Sequence, residues 1–209
     1  MTLILALFLV AGSASAADVG EAEHIRLSGD IEQLAGRQLW AGVEKKFAEL
    51  EKLGIEMSYD DLLHGAQAAR ALGNAQNAYD RLKVAARIKG TREVVDWLYT
   101  IDANYGQVML IATPPRGITL EVAEVPFDPD QRICVEATAE RIKKEGGFSG
   151  LLPRGRYTFA GQQFTVEPGI ALRIEVSPKM KKTEGELIKV TTTPIEGTPL
   201  PGAAPEPTP

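Results

Sequence analysis

Residues 151–169 read LLPRGRYTFAGQQFTVEPG. Here Tyr157 and Phe159 share one face, and so do Phe164 and Val166. Side chains alternate sides along a strand, so this spacing predicts two short strands, each with one buried face. Gly161 and Pro168-Gly169 end them, because these residues supply the backbone angles of tight turns. The same pattern extends outward. Upstream, Val108, Leu110 and Ala112 alternate with Met109 and Ile111 before the turn Pro114-Pro115-Arg116-Gly117, and Ile118, Leu120 and Val122 make the next half-buried face. Downstream, Ile170, Leu172, Ile174 and Val176 make another. FDPDQ, residues 127–131, reads as a loop. The segment Gln131–Gly147 reads equally as a helix or as a strand with a charged hairpin; an inserted helix is the expectation adopted. Residues 105–177 are thus expected to form a small antiparallel β-sandwich.

Ahead of Tyr105 the period is helical. Ser58 is placed to cap a helix, with Asp60 and Asp61 in its positive first turn. Tyr59, Leu62, Leu63, Ala66, Ala69 and Leu72 then form one apolar stripe. Leu72-Gly73-Asn74 breaks it, and a second stripe follows at Ala75, Ala78, Tyr79, Leu82, Ala85 and Ala86, closed by Gly90. Two helices joined by a tight turn make a hairpin. Val43, Phe47 and Leu50 precede Ala78, Leu82 and Ala85 by 35 residues each, which predicts an earlier hairpin of the same kind. A last helix is expected over Arg92–Asn104, capped by Thr91, with Val94, Val95, Leu98 and Ile101 inward. Trp40 and Trp97 read as packing residues.

On these residues the helical part resembles the tetratricopeptide repeat family, whose unit is a helical hairpin of about 34 residues. Ala66, Gly73, Ala78, Leu82 and Ala85 stand where that family places small or apolar packing residues. The first copy, Glu23–Leu53, is degenerate, with Gly36 and Gly42 interrupting it. The strand part is similar to PEGA-type domains and their carboxypeptidase-regulatory-like relatives. Pro115-Arg116-Gly117 occupies the turn of the name motif, without its Glu and Ala, and Leu152-Pro153-Arg154-Gly155-Arg156-Tyr157 matches the family's lead into a strand. The resemblances imply an α+β chain. Its short array of helical hairpins spans residues 20–104 and its sandwich spans 105–177, in a class of envelope proteins that are generally non-enzymatic.

Residues 1–16 are apolar from Leu3 to Val10 and end in Ala14-Ser15-Ala16, the pattern of a cleaved signal peptide, although no Lys or Arg precedes Arg26. The apolar run is well short of the roughly 20 residues that span a bilayer. Export to the periplasm or another envelope location is therefore expected, with membrane contact peripheral at most. Residues 178–209 form a proline-rich tail, expected to be extended and disordered, in which ELIKVTTT offers one further edge strand.

The net charge of −5 is spread along the chain, and no segment is basic enough to follow a phosphate backbone, so nucleic acid is not an expected partner. The single Cys134 allows no internal disulfide and reads as a buried thiol. His64 lies beside an apolar stripe and His24 in an N-terminal stretch expected to be mobile; neither assembles a zinc site or a Cys/His nucleophile. Asp128 and Asp130 read as a turn before they read as calcium ligands. The basic clusters Arg141/Lys143/Lys144 and Lys179/Lys181/Lys182 read as solvated. No catalytic residue, metal site or cofactor is expected. The function expected is protein–protein docking or scaffolding, in which Tyr59, His64, Arg70, Asn74, Asn77 and Arg81 line a groove for an envelope protein or peptide segment. The alternative is a carbohydrate- or peptidoglycan-binding module using Tyr157, Phe159, Arg154 and Arg156.

Overall fold

A computed structural model describes residues 16–115, 117–126 and 128–177. The expected signal peptide, apart from Ala16, lies outside the described residues, and so does the proline-rich tail with its ELIKVTTT segment. Five helices come first: α1 (Ala16–Gly36), α2 (Trp40–Glu51), α3 (Tyr59–Ala71), α4 (Ala75–Ile88) and α5 (Arg92–Asn104). Then follow β1 (Tyr105–Ala112), β2 (Leu120–Val122), α6 (Pro129–Glu145), β3 (Gly147–Pro153), β4 (Gly155–Phe159), β5 (Gln162–Val166) and β6 (Ala171–Val176).

Local chemistry starts three of the helices where the sequence places them. Side-chain oxygens of Ser58, Asn74 and Thr91 accept hydrogen bonds from the backbone N–H groups of Asp61, Asn77 and Val94. Each satisfies an amide that the helix itself leaves free. α1 packs on α2, α3 packs on α4, and the hairpins meet through α2 and α3. Val43, Phe47, Leu50, Ala78, Leu82 and Ala85 are all buried.

Three helical expectations need correction. Gly42 does not interrupt the first hairpin: it sits inside α2, where its missing Cβ admits the Leu34 side chain. α1 is a continuous helix that buries Leu27, Ile31 and Ala35, and it contains His24, which is therefore not in a mobile stretch. Val95 does not face inward but is 51% exposed, and Trp97 takes that place beside Val94, Leu98 and Ile101.

The strands form two three-stranded sheets, ordered β3-β1-β6 and β2-β4-β5. Their inner faces share one core: Val108, Leu110, Leu152 and Ile174 from the first sheet meet Leu120, Tyr157, Phe159 and Val166 from the second. The pairing is not wholly antiparallel as expected, because β6 runs parallel to β1. After β5 the chain crosses between sheets, and alternation along a strand carries no information about direction. β3 escaped the pattern because Gly150–Pro153 are all buried, so no polar face alternates with the apolar one.

Between β2 and β3 the chain forms α6, so the helical reading of 131–147 holds. Asp128-Pro129-Asp130-Gln131, by contrast, starts that helix instead of belonging to a separate loop. The Asp128 carboxylate accepts from the N–H groups of Asp130 and Gln131, and Pro129 occupies the first turn, where a missing N–H costs nothing.

α6 has two working faces. Val135 and Ile142 enter the strand core. On the other side, Ile133 and Ala137 press on the turn between α3 and α4. A Cβ added at Gly73 would lie 2.6 Å from the Ile133 carbonyl oxygen and 2.7 Å from the Ala137 methyl, and Gly73 itself has φ +76°. Both conditions demand glycine. Gly54 shares the conformation, at φ +66°, but has nothing within 4 Å. Gly54→Ala is expected to cost about 1 kcal/mol in urea unfolding, and Gly73→Ala about 2–4 kcal/mol, because overpacking adds to the backbone cost. Equal losses at the two sites would remove the close contact from the account.

Candidate functional site

The contact at Gly73 leaves a cleft beside it. α3 and α4 supply its floor through Ala66, Ala78 and Leu82, α5 adds Ile101 and Trp97, and Tyr105 and Cys134 form the far wall. Small side chains make the hollow: alanines on facing helices leave room that Leu or Phe would fill. The cavity measures about 220 Å³.

Its lip is a charged latch. Arg70 on α3 donates through Nε to Asp130 Oδ2 on α6 at 2.7 Å, and its Nη2 also contacts that oxygen. The same guanidinium lies 5.0 Å from the Trp97 ring centroid. One side chain therefore ties α3, α5 and α6 together at the opening. The pair is partly exposed, so it contributes at most about 1 kcal/mol. An opening held that loosely can move.

The walls are neutral at ordinary pH. Burial pushes the Cys134 thiol up to about 11, and Cys134 Sγ donates to the Leu151 carbonyl at 3.7 Å. Burial first, and then neighbouring Cys134, raises the Tyr105 hydroxyl as well. A thiol attacks as thiolate, so this one is not set up as a nucleophile. Among the described residues, no three His, Cys, Asp or Glu side chains converge as metal ligands. The cleft offers shape, an aromatic wall and a polar lip.

Of the six residues expected to line a groove, only Arg70 borders this cleft. Tyr59 hydrogen-bonds Thr91 Oγ1 through its hydroxyl at 2.8 Å, joining the starts of α3 and α5. His64 is half-buried with Nδ1 enclosed and unpartnered. Asn74 caps α4, receiving the Asn77 N–H. Arg81 is 7% exposed and serves as an internal clamp. Its guanidinium donates to both carboxylate oxygens of Glu44, at 2.5 and 2.9 Å, and to the Gly65 carbonyl at 2.7 Å, while lying 3.9 Å from the Phe47 ring centroid. Trp97, Tyr105 and Asp130 were not foreseen as one site, because they come from three elements; the signal that could have found it is the alanines on both α3 and α4 stripes followed by a tryptophan on the next helix.

The aromatic platform of the carbohydrate reading is overturned. Tyr157 is 1% and Phe159 0% exposed, and the Tyr157 hydroxyl donates to the Pro153 carbonyl at 2.8 Å. These rings face inward because Tyr157 and Phe159 share the core side of β4.

No protein-family model, no curated protein and no solved structure matches this chain.

Arg81→Ala is expected to lower the unfolding free energy by about 3 kcal/mol, since it strands Glu44 and the Gly65 carbonyl, while Arg81→Met with Glu44→Leu recovers most of the loss. An unchanged urea midpoint for the single variant would contradict the clamp. Ellman's reagent at pH 8 should leave Cys134 unmodified in the folded chain and label it at once in urea. Prompt labelling of the folded chain would place the thiol outside the wall.

Proposed function

We propose that the chain is an exported, non-enzymatic docking protein of the cell envelope, whose cleft receives a segment of a partner protein. The framework of this reading is a tetratricopeptide-repeat-like pair of hairpins followed by a PEGA-like sandwich. Helical hairpins 35 residues apart with matching buried positions support the first part. Two sheets sharing a core support the second.

The observation that carries the docking reading is the cleft. At about 220 Å³ it falls below the roughly 300–1,000 Å³ of small-molecule sites, and it suits one large side chain of a peptide. An apolar floor under an aromatic wall is the setting in which anchor residues bind. The lip carries one cation, Arg70, and two carboxylates, Asp128 and Asp130. An apolar anchor flanked by Lys or Arg is therefore favoured over one flanked by acids. The carbohydrate-binding alternative retains Arg154 and Arg156 on the surface, but without exposed rings beside them.

A photo-crosslinking side chain at Thr100, on the cleft wall, tests this in cells expressing the full chain. The expected result is one discrete adduct that is absent with the crosslinker at Val84, an exposed position on α4 outside the cleft. Ala78→Leu, which fills the floor, should reduce that adduct at least about tenfold with the circular dichroism spectrum unchanged. Equal adducts from Thr100 and Val84, or none from either, would overturn the reading. Retention of wild type and Ala78→Leu alike on purified sacculi, without a protein adduct, would favour the carbohydrate alternative.

A further inference from the structure

We propose that the solvent-facing side of α5 is a self-association surface, on which a second copy of this chain lays its own α5 antiparallel across a twofold axis. α5 is the odd helix of the array. α1 packs on α2 and α3 on α4, but α5 runs straight into β1 instead of into a returning helix. Its inner side, with Val94, Trp97, Leu98 and Ile101, packs against α3 and α4. The opposite side is exposed along its length.

That side carries Arg92, Val95, Tyr99 and Asp102, spaced three, four and three apart. At 100° per residue they fall within about 80° of one another around the helix axis. Tyr99 is 73% exposed, the most of any large hydrophobic side chain among the described residues, and Val95 one turn before it is exposed too. Covering this pair removes apolar surface from water, which favours association.

The order of the stripe, cation, aliphatic, aromatic, anion, is its own complement. When Val95 lies against Tyr99 of an antiparallel copy, the same register sets Arg92 against that copy's Asp102. The twofold axis then repeats both contacts. A parallel copy would oppose Arg92 to Arg92 and Asp102 to Asp102, so charge selects the antiparallel arrangement. Asp102 is held in place, its carboxylate accepting from the Tyr79 hydroxyl on α4. Arg92 has a loose pair within its own chain, 3.5 Å from Asp96, with both side chains exposed. Such a pair is worth little in water, which leaves the guanidinium available to a second copy. Glu93 and Thr100, seven residues apart, share the other flank of α5, and Thr100 lines the cleft. The stripe and the cleft are therefore separate surfaces.

Sedimentation velocity on the full chain tests this over roughly 5 to 500 µM, because two helix faces make an interface of the small, weak class. The expected result is monomer at the low end and dimer at the high end. Arg92→Asp and Asp102→Arg should each weaken association at least about tenfold, since each sets like charges opposite one another. Mixing the two variants should restore the dimer, because every charged pair across the axis then joins opposite signs. That recovery would also show both variants to be folded. Wild type that stays monomeric throughout would overturn the proposal, and so would single variants that associate as wild type does or a mixture without recovery.

Discussion

A missing methyl group at Gly73 sets the relation between the two halves of this protein. Because no side chain stands there, the α3–α4 turn approaches the backbone of α6 at Ile133 and the methyl of Ala137. α6 in turn inserts Val135 and Ile142 into the strand core, so one helix belongs to both halves. The direct step from α5 into β1, and the bond from the Arg154 N–H to the Asn104 carbonyl, add a second join. The cleft is a consequence of these contacts. Where the turn meets α6 the surfaces touch, and beside it the alanines of α3 and α4 leave space that Trp97 and Tyr105 enclose.

Two arginines divide the work between rigidity and access. Arg81 is buried against Phe47, with Glu44 and the Gly65 carbonyl taking its donors, and Gly65 itself has room for the Phe47 ring only because it lacks a Cβ. Removing either partner would leave polar groups unsatisfied, so this clamp holds the hairpins in a fixed stack. Arg70 makes the same kind of pair with Asp130, but at the surface, where water competes and the net attraction is small. The walls of the cleft are thereby held firmly and its lip weakly. That arrangement fits the proposed docking role, in which a segment of another protein enters without rearranging the core.

Much of this architecture was legible in the sequence because it is written in local chemistry. Ser58 and Thr91 each mark a helix start with their own oxygen, and the stripe from Ala78 to Ala85 is buried where its spacing placed it; Asn74, read as a groove residue, caps α4 instead. What depends on distant partners was not. Arg81 reads as a surface arginine until Glu44, on another hairpin, is seen beside it. Val95 and Trp97 fit the α5 period about equally, and only the packing of α5 on α3 and α4 decides between them. Tyr157 and Phe159 form a binding platform or a core depending on which sheet lies over them, and a second sheet does. The cleft joins residues from α3, α4, α5, β1 and α6, so no single window of sequence contains it.

The central claim is that α6 and the Gly73 turn make the helical and strand halves one cooperative unit. Both tryptophans, Trp40 and Trp97, lie in the helical half, so their emission reports that half alone during urea unfolding. NMR signals of Val108 and Leu110 report the strand core in the same samples. The account requires the two probes to lose their native signals at the same urea concentration. Strand signals that persist after the tryptophan emission has completed its transition would contradict it, and the cleft would then have no fixed far wall.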